Sequence, residues 1–385
     1  MHFEFATATR ILFGPGRMAE AAPLVASMGR RPMVVTAKHL VHTQALLEQL
    51  QARGLEPVTF SVPGEPDVST VLRGVNQARE EACDVIVGLG GGSALDAGKA
   101  IAAIMTNEGD LLDYLEVIGR GKPITMPSAP YVAIPTTSGT GTEVTRNAVI
   151  ASPEYGVKVS LRSPCMLPRA AIVDPELTHS VPPAVTANTG LDALTQLIEP
   201  FVCNRANTLV DAICREGIVR AAGSLRRVFS NGSDAEAREG MSLASLFGGL
   251  ALANAGLGAV HGLAAPLGGL THAPHGAVCA RLLPFVMDAN VRALEIRASE
   301  SQAMARYDEV GRLLTGDTKA TAADAVRWVH SVCADLAILP LSRHGFIASD
   351  ISVIVTQAQK ASSMKANPVP LTDSELTEIL TRALD

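Results

Sequence analysis

An α/β unit followed by an all-helical unit is the fold class predicted by this 385-residue sequence, and three observations carry the prediction. Short apolar runs rich in β-branched residues alternate with amphipathic stretches through the first half, the pattern of parallel strands covered by helices on both faces. After Pro182 and Pro183 the character changes to long Ala/Leu-rich segments of helical length and periodicity, and no strand is expected beyond this point. The length exceeds what a single core supports, so two domains are expected, 1–181 and 182–385, with a cleft between them.

The expected strands are "PMVVTA" (32–37), "VTFSV" (58–62), "DVIVGLG" (84–90), "YVAIPTT" (131–137) and "AAIVD" (170–174). Between the first two, "LVHTQALLEQLQARG" (40–54) reads as a helix, with apolar residues at helical spacing and Gly54 as its stop. The third strand runs into "GLGGGSALDAGKAIAAI", a turn of consecutive glycines followed by a helix beginning near Ser93. Such a turn presents bare backbone N–H groups and a helix N-terminus to an anion, the usual way to hold a pyrophosphate. A tight turn without a ligand explains one or two glycines, but it explains the run Gly90-Gly91-Gly92-Ser93 poorly. The next strand leads into "PTTSGTGTEVTRNAV" (135–149), with hydroxyls at Thr136, Thr137, Ser138, Thr140 and Thr142. Two such loops at strand ends suggest a dinucleotide gripped from both sides.

Composition excludes other classes. Hydrophobic residues make up 47% and charged residues 18%, which fits a compact enzyme-like chain rather than a disordered one. A formal net charge of −6 and no Lys/Arg cluster argue against a nucleic-acid partner. The start, "MHFEFATATRILFGPG", shows no apolar signal region, so a cytoplasmic setting is expected. Six scattered cysteines without a C-x-x-C pair suggest reduced thiols and no cysteine metal site.

The segment 240–280 holds no Asp, Glu, Lys or Arg, yet it contains His261, His272 and His275. Glycines, polar residues, Pro266 and Pro274 interrupt it, so buried helices are expected rather than a membrane span. A histidine in such a setting needs a hydrogen-bond partner or a metal, since an unpaired buried imidazole costs free energy. Taken singly, each is read as a core histidine bonded to a backbone carbonyl.

Taken together, "GGGSALDAGKA", "PTTSGTGTEVT", "AAIVDPELT", "TGLDALTQLIE" and "HGLAAPLGGLTHAPHGAVCARLLP" resemble the iron-containing, group III alcohol dehydrogenase family. The likeness runs in the family's order from "RILFGPG" (10–16) to "NPVPLT" (367–372). It implies an NAD(P)-dependent oxidoreductase with a Rossmann-like nucleotide-binding domain and a helical metal domain, the two-domain layout shared with dehydroquinate synthase. It also implies cofactor contacts from Gly91, Gly92, Ser93, Asp96, Thr136, Thr137 and Thr140, with Lys158 near the nicotinamide ribose and Asp67 near the adenosine half. The family's divalent ion, Fe²⁺ or Zn²⁺, is held by an Asp and three His. Here these positions are Asp192, Gln196, His261 and His275.

Three departures stand out. Gln196 replaces an imidazole with a neutral amide oxygen, a weaker ligand, so it serves either as fourth ligand or as a brace between helices. Ala265 stands where many members carry a proton-relay histidine; His272 is the nearest alternative by sequence, with a pocket-lining or structural role equally open. In "VVTAKHL", Ala37 replaces an acid that accepts from the ribose hydroxyls, which removes repulsion against a 2′-phosphate, and Lys38 supplies attraction or lies on a solvated loop. Either NAD(H) or NADP(H) is therefore expected.

The leading expectation is reversible hydride transfer to a small aldehyde or ketone, with His261, His275 and His272 as the candidate catalytic histidines. The chain is expected to act as a homodimer or higher homo-oligomer on a small alcohol or aldehyde, without nucleic acid or membrane. Three alternatives stay open: a metal-independent enzyme like maleylacetate reductase, a lyase like dehydroquinate synthase, and a non-catalytic binding protein.

Overall fold

The computed structural model describes residues 2–37, 41–271 and 273–385. They form two compact units. One comprises Ala6–Thr137 and Gly141–Ser180; the other comprises the amino-terminal residues up to Phe5, Ser138–Thr140 and Val181–Asp385.

The first unit carries all eight strands found among the described residues: β1 (Ile11–Phe13), β2 (Pro32–Ala37), β3 (Val58–Val62), β4 (Val85–Gly90), β5 (Tyr131–Pro135), β6 (Asn147–Ser152), β7 (Val157–Arg162) and β8 (Ala170–Val173). Its helices are α1 (Ala21–Ala26), α2 (Thr43–Gln51), α3 (Val68–Glu80), α4 (Gly92–Ile104) and α5 (Leu111–Tyr114). Six strands form one parallel sheet in the order β1-β8-β5-β4-β2-β3. Side chains alternate across it as the pleat requires. Met33, Val35, Ile86 and Ala133 pack with Val71, Val75 and Ile101 on one face. Val34, Val85, Val87, Leu89 and Ile134 pack with Leu46, Leu50 and Val25 on the other. Burial on both faces is why these strands read as unbroken apolar runs.

The chain passes from β2 outward to β3 and then returns to place β4 on the other side of β2. This reversal opens a crevice beyond the carboxyl ends of β2 and β4, where α/β sheets bind ligands. Ala37 and the glycine turn lie at those two ends.

Two features of this unit differ from the sequence expectation. The short strand β1 pairs with β8, although "ILF" is too brief to announce itself. Residues 147–162 fold into an antiparallel hairpin, β6 with β7, whose inward side chains Ala148, Ile150, Val159 and Leu161 join the core. Nearby, the buried Lys99 of α4 points its ammonium into the segment entering this hairpin. It donates to the carbonyls of Thr142, Thr145 and Asn147 at 2.6, 2.9 and 2.9 Å and reaches the hydroxyls of Thr142 and Thr145 at 3.2 and 2.9 Å. Burial pushes its pKa down to about 8, with Asp96 and Glu143 pulling the other way.

The second unit is helical: α6 (Pro183–Val202), α7 (Thr208–Ser230), α8 (Ala235–Asn254), α9 (Ala259–Thr271), α10 (His275–Arg297), α11 (Gln302–Thr315), α12 (Ala322–Asp335), α13 (Ile351–Ala358) and α14 (Asp373–Leu384). They share one core, in which Leu194, Leu197, Leu263 and Leu283 are fully buried. Among the described residues no single helix is long and apolar enough to cross a membrane; the pair α8 and α9 is bent by 96° at its break.

Candidate metal centre and nucleotide-binding turn

Helix α6 carries Asp192, Gln196 and Glu199 at offsets of four and seven residues, which puts all three side chains on one face. All three are buried. Helix α9 contributes the buried His261, and α10 opens with the half-buried His275, followed one turn later by the buried Cys279. The Nε2 atoms of His261 and His275 lie 3.6 and 3.9 Å from Asp192 Oδ1, and Cys279 Sγ lies 3.5 Å from His275 Nε2. One ligand atom from each of Asp192, His261, His275 and Cys279 falls within 4.8 Å of the others.

These residues fit a divalent ion. Asp192 Oδ1 is buried and has no hydrogen-bond partner, an arrangement that costs free energy unless a cation takes the lone pairs. Burial raises the Asp192 pKa, but the two imidazoles outweigh it and leave the carboxyl below its ordinary value. For His261 burial disfavours the charged ring, yet Glu199 and Asp192 prevail and raise its pKa to about 10. A ring set between two carboxylates marks a place suited to positive charge, and an ion bound at Nε2 takes the place a proton would hold.

Glu199 fixes the ring. Its Oε2 lies 2.6 Å from His261 Nδ1 and its Oε1 accepts from the Val260 N–H at 2.7 Å. This is the carboxylate–histidine arrangement that orients a metal-bound imidazole and raises its basicity. Glu199→Gln is therefore expected to weaken divalent-ion affinity by roughly 10–100-fold, measured by competition with a chromophoric chelator. Unchanged affinity removes Glu199 from that role.

Gln196 sits one turn after Asp192, its amide oxygen buried without a hydrogen-bond partner. That oxygen lies 3.4 Å from where a Cβ on Gly248 would stand, so the absence of a side chain on α8 makes room for the amide. His272 and Lys38 fall outside the described residues.

Sequence reasoning missed Glu199 and Cys279. Their signal is helical periodicity: Glu199 is seven residues after Asp192, and Cys279 is four after His275. The expectation of no cysteine metal site rested on the lack of cysteine pairs, and a search for pairs does not register a single thiol such as Cys279 beside His275 and Asp192.

In the first unit, β4 ends at Gly90 with φ +153°, where a Cβ would come within 2.8 Å of Ala94 Cβ. Glycine is required at such a position. Gly91 caps α4 with no side-chain hydrogen bond, leaving the N–H groups of the first turn, at Gly92 and Ser93, without a side-chain cap. Thr136 N–H donates to the Gly90 carbonyl at 2.9 Å, and Thr137 Oγ1 lies 3.3 Å from where a Gly91 Cβ would stand. Ala37 N is 3.8 Å from the corresponding position on Gly90. Ala37, Gly91, Gly92, Ser93, Thr136 and Thr137 are thus gathered at one turn.

The other expected cofactor residues sit elsewhere. Asp96 accepts from the Thr142 hydroxyl at 2.5 Å and from the Val149 N–H at 3.1 Å, and burial raises its pKa against the pull of Lys99. Asp67 caps α3, accepting from the Thr70 N–H at 2.7 Å and the Ser69 hydroxyl at 2.9 Å. Its backbone bridges to Ala151, which pairs with Lys158 across the hairpin. Lys158 forms an ion pair with Glu65 at 2.5 Å. Thr140 groups with the helical unit.

A family model described as iron-containing alcohol dehydrogenase matches residues 8–175, and a second, Fe-containing alcohol dehydrogenase family, C-terminal, matches 186–384. The 4-hydroxybutyrate dehydrogenase of Cupriavidus necator is 34% identical over 363 residues, covering 92% of this chain and 92% of that protein. A crystal structure of 1,3-propanediol oxidoreductase matches with a TM-score of 0.92 at 33% identity, covering 100% of both chains. Sulfoacetaldehyde reductase from Bifidobacterium kashiwanohense, solved in complex with NAD⁺, matches with a TM-score of 0.87 at 28% identity over 100% of this chain and 99% of that one.

Proposed function

The chain belongs to the iron-containing alcohol dehydrogenase family, and from that premise we propose that it transfers hydride reversibly between NAD(P)(H) and a small alcohol or its carbonyl partner. The observation that carries the reading is the orphaned, buried Asp192 oxygen facing two imidazoles. When bound, the divalent ion supplies Lewis acidity toward the substrate oxygen and the nicotinamide supplies the hydride. Asp192, His261 and His275 hold the ion in this reading, with Gln196 alongside as the weakest donor. Glu199 keeps the His261 ring oriented, and burial of the group excludes water from around the charges.

The uncapped N-terminus of α4 takes the pyrophosphate, with Thr136 and Thr137 closing the turn from the neighbouring strand. Asp96 positions the second loop through Thr142 and Val149, while Asp67 and Lys158 flank the hairpin side. The three proteins compared act, by name, on 4-hydroxybutyrate, 1,3-propanediol and sulfoacetaldehyde, all short chains bearing a second polar group. A panel of such alcohols and aldehydes, assayed with NADH and NADPH on protein of measured metal content, tests the reading. No turnover on any member would overturn it.

Cofactor choice turns on Ala37, at the carboxyl end of β2 beside the glycine turn. With no carboxylate at position 37, that side chain does not repel a 2′-phosphate, and both cofactors are accepted in this reading. Ala37→Asp is expected to shift the NADH/NADPH ratio of kcat/KM toward NADH by about tenfold or more, roughly 1.4 kcal/mol of discrimination. An unmoved ratio would take Ala37 away from the ribose. The six unbridged cysteines support a reducing, cytoplasmic setting, and a homodimer or larger homo-oligomer belongs to the same proposal.

A further inference from the structure

We propose that Cys279 is itself a ligand of the divalent ion, its sulfur supplying the strong donor that position 196 lacks, and that this makes the centre a zinc site. The inference rests on the metal reading above and adds a residue and a metal preference to it.

Geometry comes first. Cys279 follows His275 by one helical turn, so both side chains leave α10 on the same face. Around a tetrahedral zinc, with Zn–S near 2.3 Å and Zn–N or Zn–O near 2.0–2.2 Å, a sulfur and a nitrogen stand roughly 3.6 Å apart and two N/O atoms roughly 3.3 Å apart. The Sγ–Nε2 separation here is 3.5 Å, and the two Nε2–Oδ1 separations are 3.6 and 3.9 Å. The remaining separations fall within 4.8 Å, so the side chains must draw inward to close the cage.

A second observation concerns the carboxylate. Asp192 Oδ1, 1% exposed as a residue and without a hydrogen-bond partner, faces the same group. An ion at the centre of the four atoms satisfies it.

Chemistry then chooses between Cys279 and Gln196 as the donor completing the set. The amide of Gln196 is neutral and binds borderline-soft ions weakly, whereas a thiolate is anionic and soft and favours zinc. With the Asp192 carboxylate it neutralises the double positive charge, while the neighbouring Glu199 is engaged by His261 Nδ1 and the Val260 N–H. On binding, the Cys279 sulfur gives its lone pair to the ion and its proton leaves to solvent. The other five cysteines lie outside the group.

Metal-free protein reloaded with Co²⁺ tests the assignment without reference to turnover. The wild-type chain is expected to show visible d–d bands together with a near-ultraviolet thiolate-to-cobalt charge-transfer band. Cys279→Ser is expected to keep the visible bands and lose the charge-transfer band. Its zinc dissociation constant should rise by more than the roughly 10–100-fold that follows loss of an outer partner, and by a larger factor than that for Fe²⁺. Visible bands without charge transfer in the wild type would overturn the Cys279 assignment while leaving the metal centre standing. A wild-type chain that retains no cobalt would overturn both. An equal rise for zinc and iron would overturn the metal preference. Should the serine variant fail to fold, Cys279→Ala replaces it, and the wild-type spectrum decides by itself whether sulfur is bound.

Discussion

Stripped of divalent ions and assayed in chelator, the protein is expected to lose turnover by about a thousandfold or more, and added Zn²⁺ or Fe²⁺ is expected to restore it. The magnitude reflects the several kcal/mol that a Lewis acid contributes at the reacting oxygen. Chelation acts by drawing off the ion that the buried Asp192 carboxylate and the two imidazoles face, and at position 196 the neutral amide adds little to hold it back. Asp192→Asn should reproduce the loss in untreated protein, since it removes the carboxylate that both imidazoles approach. Gln196→His should hold the ion through longer dialysis. Full activity in metal-free enzyme would instead leave His261 and His275 to act on the substrate directly as hydrogen-bond donors or acids, as in the metal-independent alternative.

Gly91→Val is expected to raise the dissociation constant for the reduced cofactor by about 100-fold or more, near 2.7 kcal/mol, in a protein that remains folded. The backbone of Gly91 has φ −76°, which any residue adopts, and an added Cβ would meet only Thr137 side-chain atoms at 3.3 and 3.4 Å. What the new side chain occupies is the space before the uncapped helix end, where a pyrophosphate must approach the backbone closely. Gly90 would make a poorer test, because its positive φ and the 2.8 Å approach to Ala94 would strain the fold itself. Cofactor titration of a Gly91→Val protein with unchanged thermal unfolding checks the expectation. Unchanged affinity would take the turn out of the site.

How much of this is legible in the sequence depends on how a residue announces its environment. Strands buried on both faces, such as β2 and β4, declare themselves as apolar runs, and the glycine turn declares the helix that follows it. The β6–β7 hairpin does not, because only alternate residues reach the core and Lys158, Ser160 and Arg162 fall between them. Asp192, His261 and His275 are singled out by resemblance and spacing, and the fold brings them together. Glu199 and Cys279 are marked in the chain only by their helical offsets from Asp192 and His275, which many residues share. A glutamate in an apolar helix and an isolated cysteine are common residues, and only the convergence of α6, α9 and α10 gives them partners.

The ammonium of Lys99 has a consequence for how this protein can vary. Three of its five acceptors are main-chain carbonyls, which every amino acid possesses, and the other two are the hydroxyls of Thr142 and Thr145, so residues 142–147 are anchored in larger part through their backbone. Loss of either threonine hydroxyl leaves the three carbonyl contacts available, whereas a change at position 99 strands three carbonyls at once in a buried site. The anchor thereby rests more on one helical residue than on either threonine it reaches. A deep mutational scan would show position 99 as an intolerant column beside a more permissive one at the partly buried Asn147, which lends the anchor only its carbonyl.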